Sequence, residues 1–144
     1  MKKQTKLAVI LFFVLALLSS LSSNGQKLGD TYETVLNELK AQGKTTLIND
    51  YDSYKIIYVD SESEIIFNYK IVDNYCRMVT ISSASESVIL EYFKVITFNK
   101  DLTGKNTTFI EKNNKEYGSI YYKLDRQDIS ESNEGETYYK LSIW

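Results

Sequence analysis

The sequence lacks histidine and proline altogether, and Cys76 is its single cysteine. Without histidine, the Ser-His-Asp and Cys-His arrangements that activate a nucleophile are excluded, and so is the commonest general base. One cysteine can neither close a disulfide within the chain nor supply a thiolate zinc or iron-sulfur site. We therefore expect no catalytic residues, no metal site and no cofactor, and we predict that the protein is not an enzyme.

Glycine is also scarce, with six residues that are scattered without the spacing of a phosphate-binding loop. Because proline is absent, no proline-rich linker divides the chain, and one domain is expected. Cys76 lies inside a strand-like run, which favours a buried, small apolar role. Pairing with another chain is the alternative.

The N-terminus has the order of a secretory signal peptide. Lys2, Lys3 and Lys6 precede the apolar run Leu7–Leu18, and a small, polar segment follows up to Gln26. The run has 12 residues, whereas a membrane-spanning helix needs about 20. We predict a cleaved signal over residues 1–25 and a single mature domain over residues 26–144. A buried first helix is the alternative.

The predicted localisation is secreted or periplasmic, and the sequence does not distinguish between the two. A lipid anchor would need a cysteine at the start of the mature chain, so no stable membrane anchor is expected after cleavage. Loss of the three N-terminal lysines takes the formal charge from -2 to -5. An acidic domain of this kind excludes nucleic acid as an expected partner, because phosphate backbones are bound by clustered lysine and arginine.

Two helices and a series of strands are predicted along the mature chain. Asp30 followed by Glu33 is a capping box for a first helix that ends before Gly43, and Ser83 followed by Glu86 is a second, for a helix reaching Phe98 or Asn99. The second helix is apolar around most of its circumference, which indicates deep packing or an interaction face. The predicted strands are Thr45–Asn49 (a weak signal), Lys55–Asp60, Glu64–Val72, Tyr75–Ser82, Asn106–Lys112, Tyr117–Leu124 and Glu136–Trp144.

These elements predict an α+β, two-layer domain with an antiparallel sheet and both helices on one face, in the order α-β-β-β-α-β-β-β. Asp73-Asn74 is predicted to be a two-residue hairpin turn, because both residue types tolerate positive φ. Asp125–Gly135 is predicted to be a polar, acidic loop. The two halves have the same element order, although their residue identity is slight.

Twelve tyrosines are the main compositional excess. The pairs Tyr121-Tyr122 and Tyr138-Tyr139 place one ring on each face of a strand, because adjacent strand residues point to opposite faces. Aligned outer rings would form an aromatic platform for a protein or a sugar, and Tyr58, Tyr122 and Tyr138 are the predicted binding residues. The alternative is that tyrosine simply suits half-buried strands.

Acidic turns, such as Asp50-Tyr51-Asp52 and Asp60 to Glu64, are the other candidate sites. None has the spacing of an EF-hand loop, so solvated turns are the expected interpretation and calcium binding the alternative.

One segment resembles the start of domains in an exported superfamily. It is a glycine followed by a capped helix, with the sequence Leu28-Gly29-Asp30-Thr31-Tyr32-Glu33-Thr34-Val35-Leu36. The superfamily is that of outer-membrane-assembly lipoproteins and β-lactamase-inhibitor proteins. The resemblance implies helices on one face of an antiparallel sheet and a non-enzymatic role in binding proteins. The chain departs from that pattern in having no lipid-anchor cysteine, no disulfide pair and one helix before the first strands. Its proline-free body, rich in tyrosine, asparagine and lysine, also resembles exported proteins of the Bacteroidota.

The leading functional hypothesis is an exported, non-catalytic binding or accessory domain. It would engage an unknown protein partner through the sheet face or the second helix. One alternative is a small carboxylate-dependent hydrolase or glycan-binding protein, and another is an inhibitor or immunity-type protein.

Overall fold

The structure is a computed structural model that describes residues 27–60, 65–114, 118–129 and 136–144. The predicted signal peptide and most of the predicted acidic turn from Asp60 to Glu64 lie outside these ranges. Two helices and one eight-stranded antiparallel sheet make the described part of the chain an α+β protein. In chain order the elements are α1 (Tyr32–Ala41), β1 (Thr46–Asp50), β2 (Lys55–Asp60), β3 (Ile65–Val72), β4 (Tyr75–Ser83), α2 (Glu86–Ile96), β5 (Leu102–Lys105), β6 (Thr108–Asn114), β7 (Gly118–Ile129) and β8 (Glu136–Ile143).

Each helix is followed by four strands, which corrects the predicted order of three strands per helix. The additional strands are β1, which corresponds to the weak signal at Thr45–Asn49, and β5, which had no clear signal. Both are short outermost strands, with one paired neighbour each. A strand of this kind is defined by pairing with its neighbour more than by its own apolar pattern.

The sheet has the strand order β1-β2-β3-β4-β8-β7-β6-β5. Strands β1 to β4 form one antiparallel meander, β5 to β8 form a second, and the two join where β4 pairs with β8. The helix-plus-four-strand unit therefore occurs twice, with the last strand of each unit at the centre of the sheet.

The first helix is capped by Thr31, one residue later than predicted. The Thr31 side chain accepts a hydrogen bond from the Thr34 N–H. The backbone carbonyl of Asp30 accepts a hydrogen bond from the Cys76 N–H at 2.8 Å. The predicted stop is confirmed at Gly43, where φ is +69°, a conformation that suits glycine.

The second helix also starts later than its predicted cap. Ser83 is the last residue of β4, and its side chain accepts a hydrogen bond from the Ser85 N–H at 3.1 Å. Ser85 is the residue at the N-cap position, and its own side chain makes no capping hydrogen bond. The helix ends at Ile96, where the Thr97 hydroxyl donates to the Phe93 carbonyl at 2.6 Å.

The predicted hairpin turn is confirmed, with φ of +51° at Asp73 and +68° at Asn74 between β3 and β4. The predicted loop after Leu124 is shorter than expected, because β7 continues to Ile129. Residues Asp125–Ile129 pair with the first half of β8. The rest of that loop, residues 130–135, lies outside the described ranges.

One face of the sheet, called here the core face, carries the buried strand residues. In β3 these are Ile65, Phe67, Tyr69 and Ile71, which alternate with half-buried residues. The buried side chains of α1 and α2 belong to the same hydrophobic cluster. Phe67 meets Tyr92 edge-to-face at 5.8 Å between ring centroids, and such pairs contribute about 0.5–1.5 kcal/mol beyond burial. The opposite face is called the outer face.

Candidate functional site

The outer face carries a row of large side chains that crosses most of the sheet. The strand register places Ile110 opposite Tyr121 and Lys70 opposite both Ile56 and Met78. Trp144 directly follows β8 and is joined to Tyr121 by two backbone hydrogen bonds, at 2.8 and 3.1 Å. We call this row the aromatic stripe. Its members are Ile110, Tyr121, Trp144, Met78, Lys70 and Ile56.

Tyr121 and Trp144 form the centre of the aromatic stripe. Their rings stack with centroids 5.7 Å apart and an interplanar angle of 12°. They are 36% and 37% exposed. Because the backbone hydrogen bonds and the stacking fix both rings, they present aromatic area at a small cost in side-chain entropy.

A polar row runs beside the aromatic stripe. Its residues are two positions away from the stripe residue of the same strand, later in one strand and earlier in the next because the strands are antiparallel. It contains Tyr58, Asn68, Thr80, Ser142, Lys123 and Thr108. Ser82 and Ser142 are buried on this side of the sheet. The outer face therefore carries a mainly apolar row, in which Lys70 is the charged member, beside a row of hydroxyl, amide and ammonium groups.

The three predicted binding tyrosines are not brought together. Tyr58 and Tyr138 are both half-buried residues of the outer face, on β2 and β8. Two strands lie between them, so they are separated by at least three inter-strand steps, about 14 Å. Burial raises the pKa of Tyr58, and the nearby Tyr51 side chain raises it further.

Tyr122 was predicted to be an outer ring that binds a partner. In the structure it lies on the core face and is 1% exposed. Its neighbour Tyr121 is the exposed ring of that pair. The sequence contained a signal for this choice: Ile120, Tyr122 and Leu124 alternate as apolar residues, whereas Ser119 and Lys123 share the side of Tyr121. Trp144 was missed as a site residue because only the pairing of β7 with β8 places it beside Tyr121.

Tyr122 contributes instead to a polar cluster around Glu111. The Tyr122 hydroxyl and the Lys100 ammonium each donate to Glu111 Oε2 at 2.8 Å. The Asn114 amide donates to Oε1 at 3.1 Å. Burial alone would raise the pKa of Glu111, but the hydrogen bonds from Lys100, Asn114 and Tyr122 keep it below its usual value. This carboxylate is therefore ionised at neutral pH and attaches the loop after α2 to the sheet.

A cleft of about 260 Å³ lies where the β1–β2 turn, the β3–β4 turn and the start of α1 meet. Its aromatic walls are Tyr32 and the pair Tyr51 and Tyr54, whose rings stack at 4.7 Å. Asp50, Asp52, Ser53, Lys55, Asp73 and Asn74 add polar groups. The three carboxylates are exposed, and Asp50 forms an ion pair with Lys55. The Lys70 ammonium of the aromatic stripe lies 4.4 Å from the Tyr54 ring centroid.

A second cleft, of about 250 Å³, lies between the start of α2 and strands β7 and β8. Its lining includes Glu86 and Leu90 from α2 and Leu124, Arg126 and Tyr139 from the strands. The exposed face of α2 is mostly polar, with Glu86, Ser87, Glu91 and Lys94 on it. Ile89 and Tyr92 are buried, and Leu90 is the large apolar residue of this helix that is exposed.

Within the described ranges, no group of three or more cysteine, aspartate or glutamate residues is arranged to hold a metal ion. Neither described helix is long and apolar enough to cross a membrane. Cys76 is buried, and its burial raises the pKa of the thiol to about 12.

Comparison of the chain with protein-family models, curated proteins and solved structures finds no match. The similarity of residues 28–36 to the outer-membrane-assembly lipoprotein and β-lactamase-inhibitor-protein superfamily therefore stays a prediction. The function of this protein is therefore inferred from its own sequence and structure.

Proposed function

We propose that the protein is an exported, non-catalytic binding domain that engages a protein partner through the outer face of its sheet. The observation that carries the proposal is the aromatic stripe, with Tyr121 and Trp144 stacked and exposed at its centre. Export is proposed from the lysine, apolar and small-residue order of residues 1–26. The partner is then a protein of the cell envelope or the exterior.

The proposal includes a two-layer arrangement in which both helices cover the core face. Val35 and Leu39 of α1 share one hydrophobic cluster with Ile89 and Tyr92 of α2 and with the core-face strand residues. Phe93 of α2 also meets Tyr122 of β7, at 6.4 Å between ring centroids. With both helices on that side, the outer face is the large surface left for a partner.

The chemistry of the outer face suits a protein interface. Tyrosine, tryptophan and methionine are enriched at the centres of such interfaces, and all three occur in the aromatic stripe. The adjoining polar row supplies hydroxyl and amide groups of the kind that form a hydrogen-bonding rim. A partner with an apolar ridge about one side chain wide, flanked by polar groups, is complementary to this surface.

The proposal is tested by capture from envelope extract followed by measurement of the isolated complex. Tyr121→Ala combined with Trp144→Ala should abolish capture, because ring burial at the centre of an interface contributes about 2 kcal/mol or more per residue. Binding should also shift the fluorescence of Trp144, the single tryptophan of the chain. The control is Phe98→Ala, which removes a 75% exposed ring outside the aromatic stripe.

Equal capture by the double variant and the wild type would exclude the aromatic stripe as the binding surface. An inhibitor or immunity-type role is a special case of the same proposal, in which the cognate protein is encoded by a neighbouring gene. Testing the products of neighbouring genes for binding examines that case directly.

A second candidate is a glycan-binding function in the 260 Å³ cleft. Aromatic rings and carboxylate, amide and hydroxyl groups line the same space, and this combination can stack on a sugar ring and bind its hydroxyls. Saccharide titrations should then show binding that Tyr51→Ala removes and the Tyr121→Ala and Trp144→Ala pair does not. Release of reducing ends during these titrations would instead support the carboxylate-dependent hydrolase.

A further inference from the structure

The 260 Å³ cleft has tyrosine walls on which ammonium groups of the chain already lie. The Lys70 ammonium is 4.4 Å from the Tyr54 ring centroid, and the Lys55 ammonium is 6.0 Å from that of Tyr32. Tyr51 is the third ring of the cleft, and no lysine or arginine of the described ranges lies over it. Because the face of a tyrosine ring attracts cations, Tyr51 is the ring open to a cation from outside the chain.

Tyr51 is accessible and yet held in place. It is 44% exposed, and its N–H donates to the Tyr54 carbonyl at 2.9 Å. Its ring stacks on Tyr54 with centroids 4.7 Å apart, and its side chain is hydrogen-bonded to that of Tyr58. A ring fixed in this way loses little conformational entropy when a ligand stacks on it.

The charged groups of the cleft are negative in excess. Three aspartates and one lysine line it, and Asp50 forms an ion pair with Lys55. Asp52 and Asp73 are exposed and form no ion pair with any residue of the described ranges. Two carboxylates beside an open aromatic ring favour a cationic ligand over a sugar, because they attract a cation and give a neutral ring no such gain.

We infer that the cleft binds an arginine side chain of a protein partner, with the guanidinium stacked on Tyr51 and its N–H groups directed to the unpaired carboxylates. Arginine suits this site better than lysine, because a guanidinium is planar, stacks on aromatic rings and donates two parallel hydrogen bonds to one carboxylate. The volume of about 260 Å³ is below the roughly 300–1,000 Å³ of pockets that hold whole ligands. One long side chain fits this space.

A protein is the source of the arginine because the cleft continues the aromatic stripe. Tyr54 lies two residues before Ile56 of the stripe, and the ammonium of Lys70, another stripe residue, lies on the Tyr54 ring. A protein that covers the stripe can therefore extend a side chain into the cleft. The protein source rests on the proposed function, whereas the preference of the cleft for arginine does not.

Titration of the purified protein with capped tripeptides tests the preference for arginine. A glycine-arginine-glycine peptide should shift the NMR signals of the Tyr51 and Tyr54 rings with roughly millimolar affinity. The counterpart with citrulline in place of arginine keeps the shape and loses the charge, so it should bind about tenfold more weakly or less. The counterpart with lysine should bind more weakly than the arginine peptide.

Substitutions in the cleft locate the bound peptide. Tyr51→Ala should weaken binding of the arginine peptide about fivefold, and Tyr51→Phe, which keeps the ring, should retain it. Tyr75→Ala is the matched control, because Tyr75 is also 44% exposed and does not line the cleft. Asp52→Asn combined with Asp73→Asn should weaken binding about threefold or more, whereas Asp101→Asn should leave it unchanged.

Equal binding of the arginine and citrulline peptides, or no binding of the arginine peptide, would overturn the inference even where the Tyr121→Ala and Trp144→Ala pair abolishes capture. Saccharide binding without peptide binding would overturn it in favour of the glycan candidate. In the capture experiment Tyr51→Ala should also lower recovery of the partner. Unchanged recovery would overturn the protein source of the arginine.

Discussion

Tyr121 and Tyr122 are adjacent in sequence and have opposite environments. Tyr121 stacks on Trp144 at the surface, and the buried Tyr122 hydroxyl donates to Glu111. The alternation of a strand requires that one ring of the pair face the core, and the apolar neighbours Ile120 and Leu124 determine which one. Tyr121 is therefore a candidate binding residue, whereas its neighbour Tyr122 has a structural role.

Glu111 makes a contribution to stability that depends on pH. Three donors surround its carboxylate, so Glu111→Gln should lower the free energy of unfolding by about 1–3 kcal/mol at pH 7. Its folded-state pKa is lowered, so the stabilisation is present above the unfolded-state pKa of about 4.3 and is lost as pH falls through the folded-state pKa. Urea unfolding at pH 7 and pH 3 should show the two proteins converging in acid.

The exposed Glu91 of α2 provides the control for this measurement. Glu91→Gln should change the free energy of unfolding by less than about 0.5 kcal/mol at pH 7. A constant difference between the wild type and Glu111→Gln across the whole pH range would contradict the assigned role of the Glu111 charge.

The N-termini of the two helices differ in whether the N-cap side chain makes a capping hydrogen bond. Thr31 caps α1 through its side chain, whereas Ser85 at the start of α2 makes no such hydrogen bond. Thr31→Ala should therefore cost about 1 kcal/mol of stability, and Ser85→Ala less than about 0.5 kcal/mol. Chemical denaturation of the two variants measures the difference, and an equal or reversed order would show that the Thr31 hydrogen bond contributes little.

At the element scale, the strands with strong patterns were predictable, the edge strand β1 had only a weak signal, and the edge strand β5 was missed. Lys55–Asp60 was predicted with its observed bounds, and the turn at Asp73-Asn74 follows from two residues that tolerate positive φ. Strand β5 lacks an apolar alternation, and only its pairing with β6 defines it. The predicted helix caps, Asp30 and Ser83, lie one and two residues before the observed N-caps: the backbone carbonyl of Asp30 is hydrogen-bonded to the Cys76 N–H, and Ser83 completes β4.

For the whole molecule, the junction of β4 with β8 joins the two halves. Val79 is fully buried there and faces Ile143 across the junction. Because both helices share one hydrophobic cluster, the halves should unfold together. Trp144 fluorescence and far-UV circular dichroism should give the same urea midpoint.

Val79→Ala should lower the midpoint of both signals by the same amount, since cavities in a core cost about 1 kcal/mol or more. Two separated transitions in the wild type would show instead that each half of the sheet folds independently.

The sequence by itself determined the α+β class, most strand segments and the exclusion of histidine-based and thiolate-based chemistry, because these depend on residue type and local periodicity. Tertiary structure decided the strand order, the join between the halves and the face on which each tyrosine lies. Tyr121 and Trp144 are distant in sequence and meet only because β7 pairs with β8. A binding surface built across strands depends on register, and register is fixed by the pairing of distant segments rather than by any one of them.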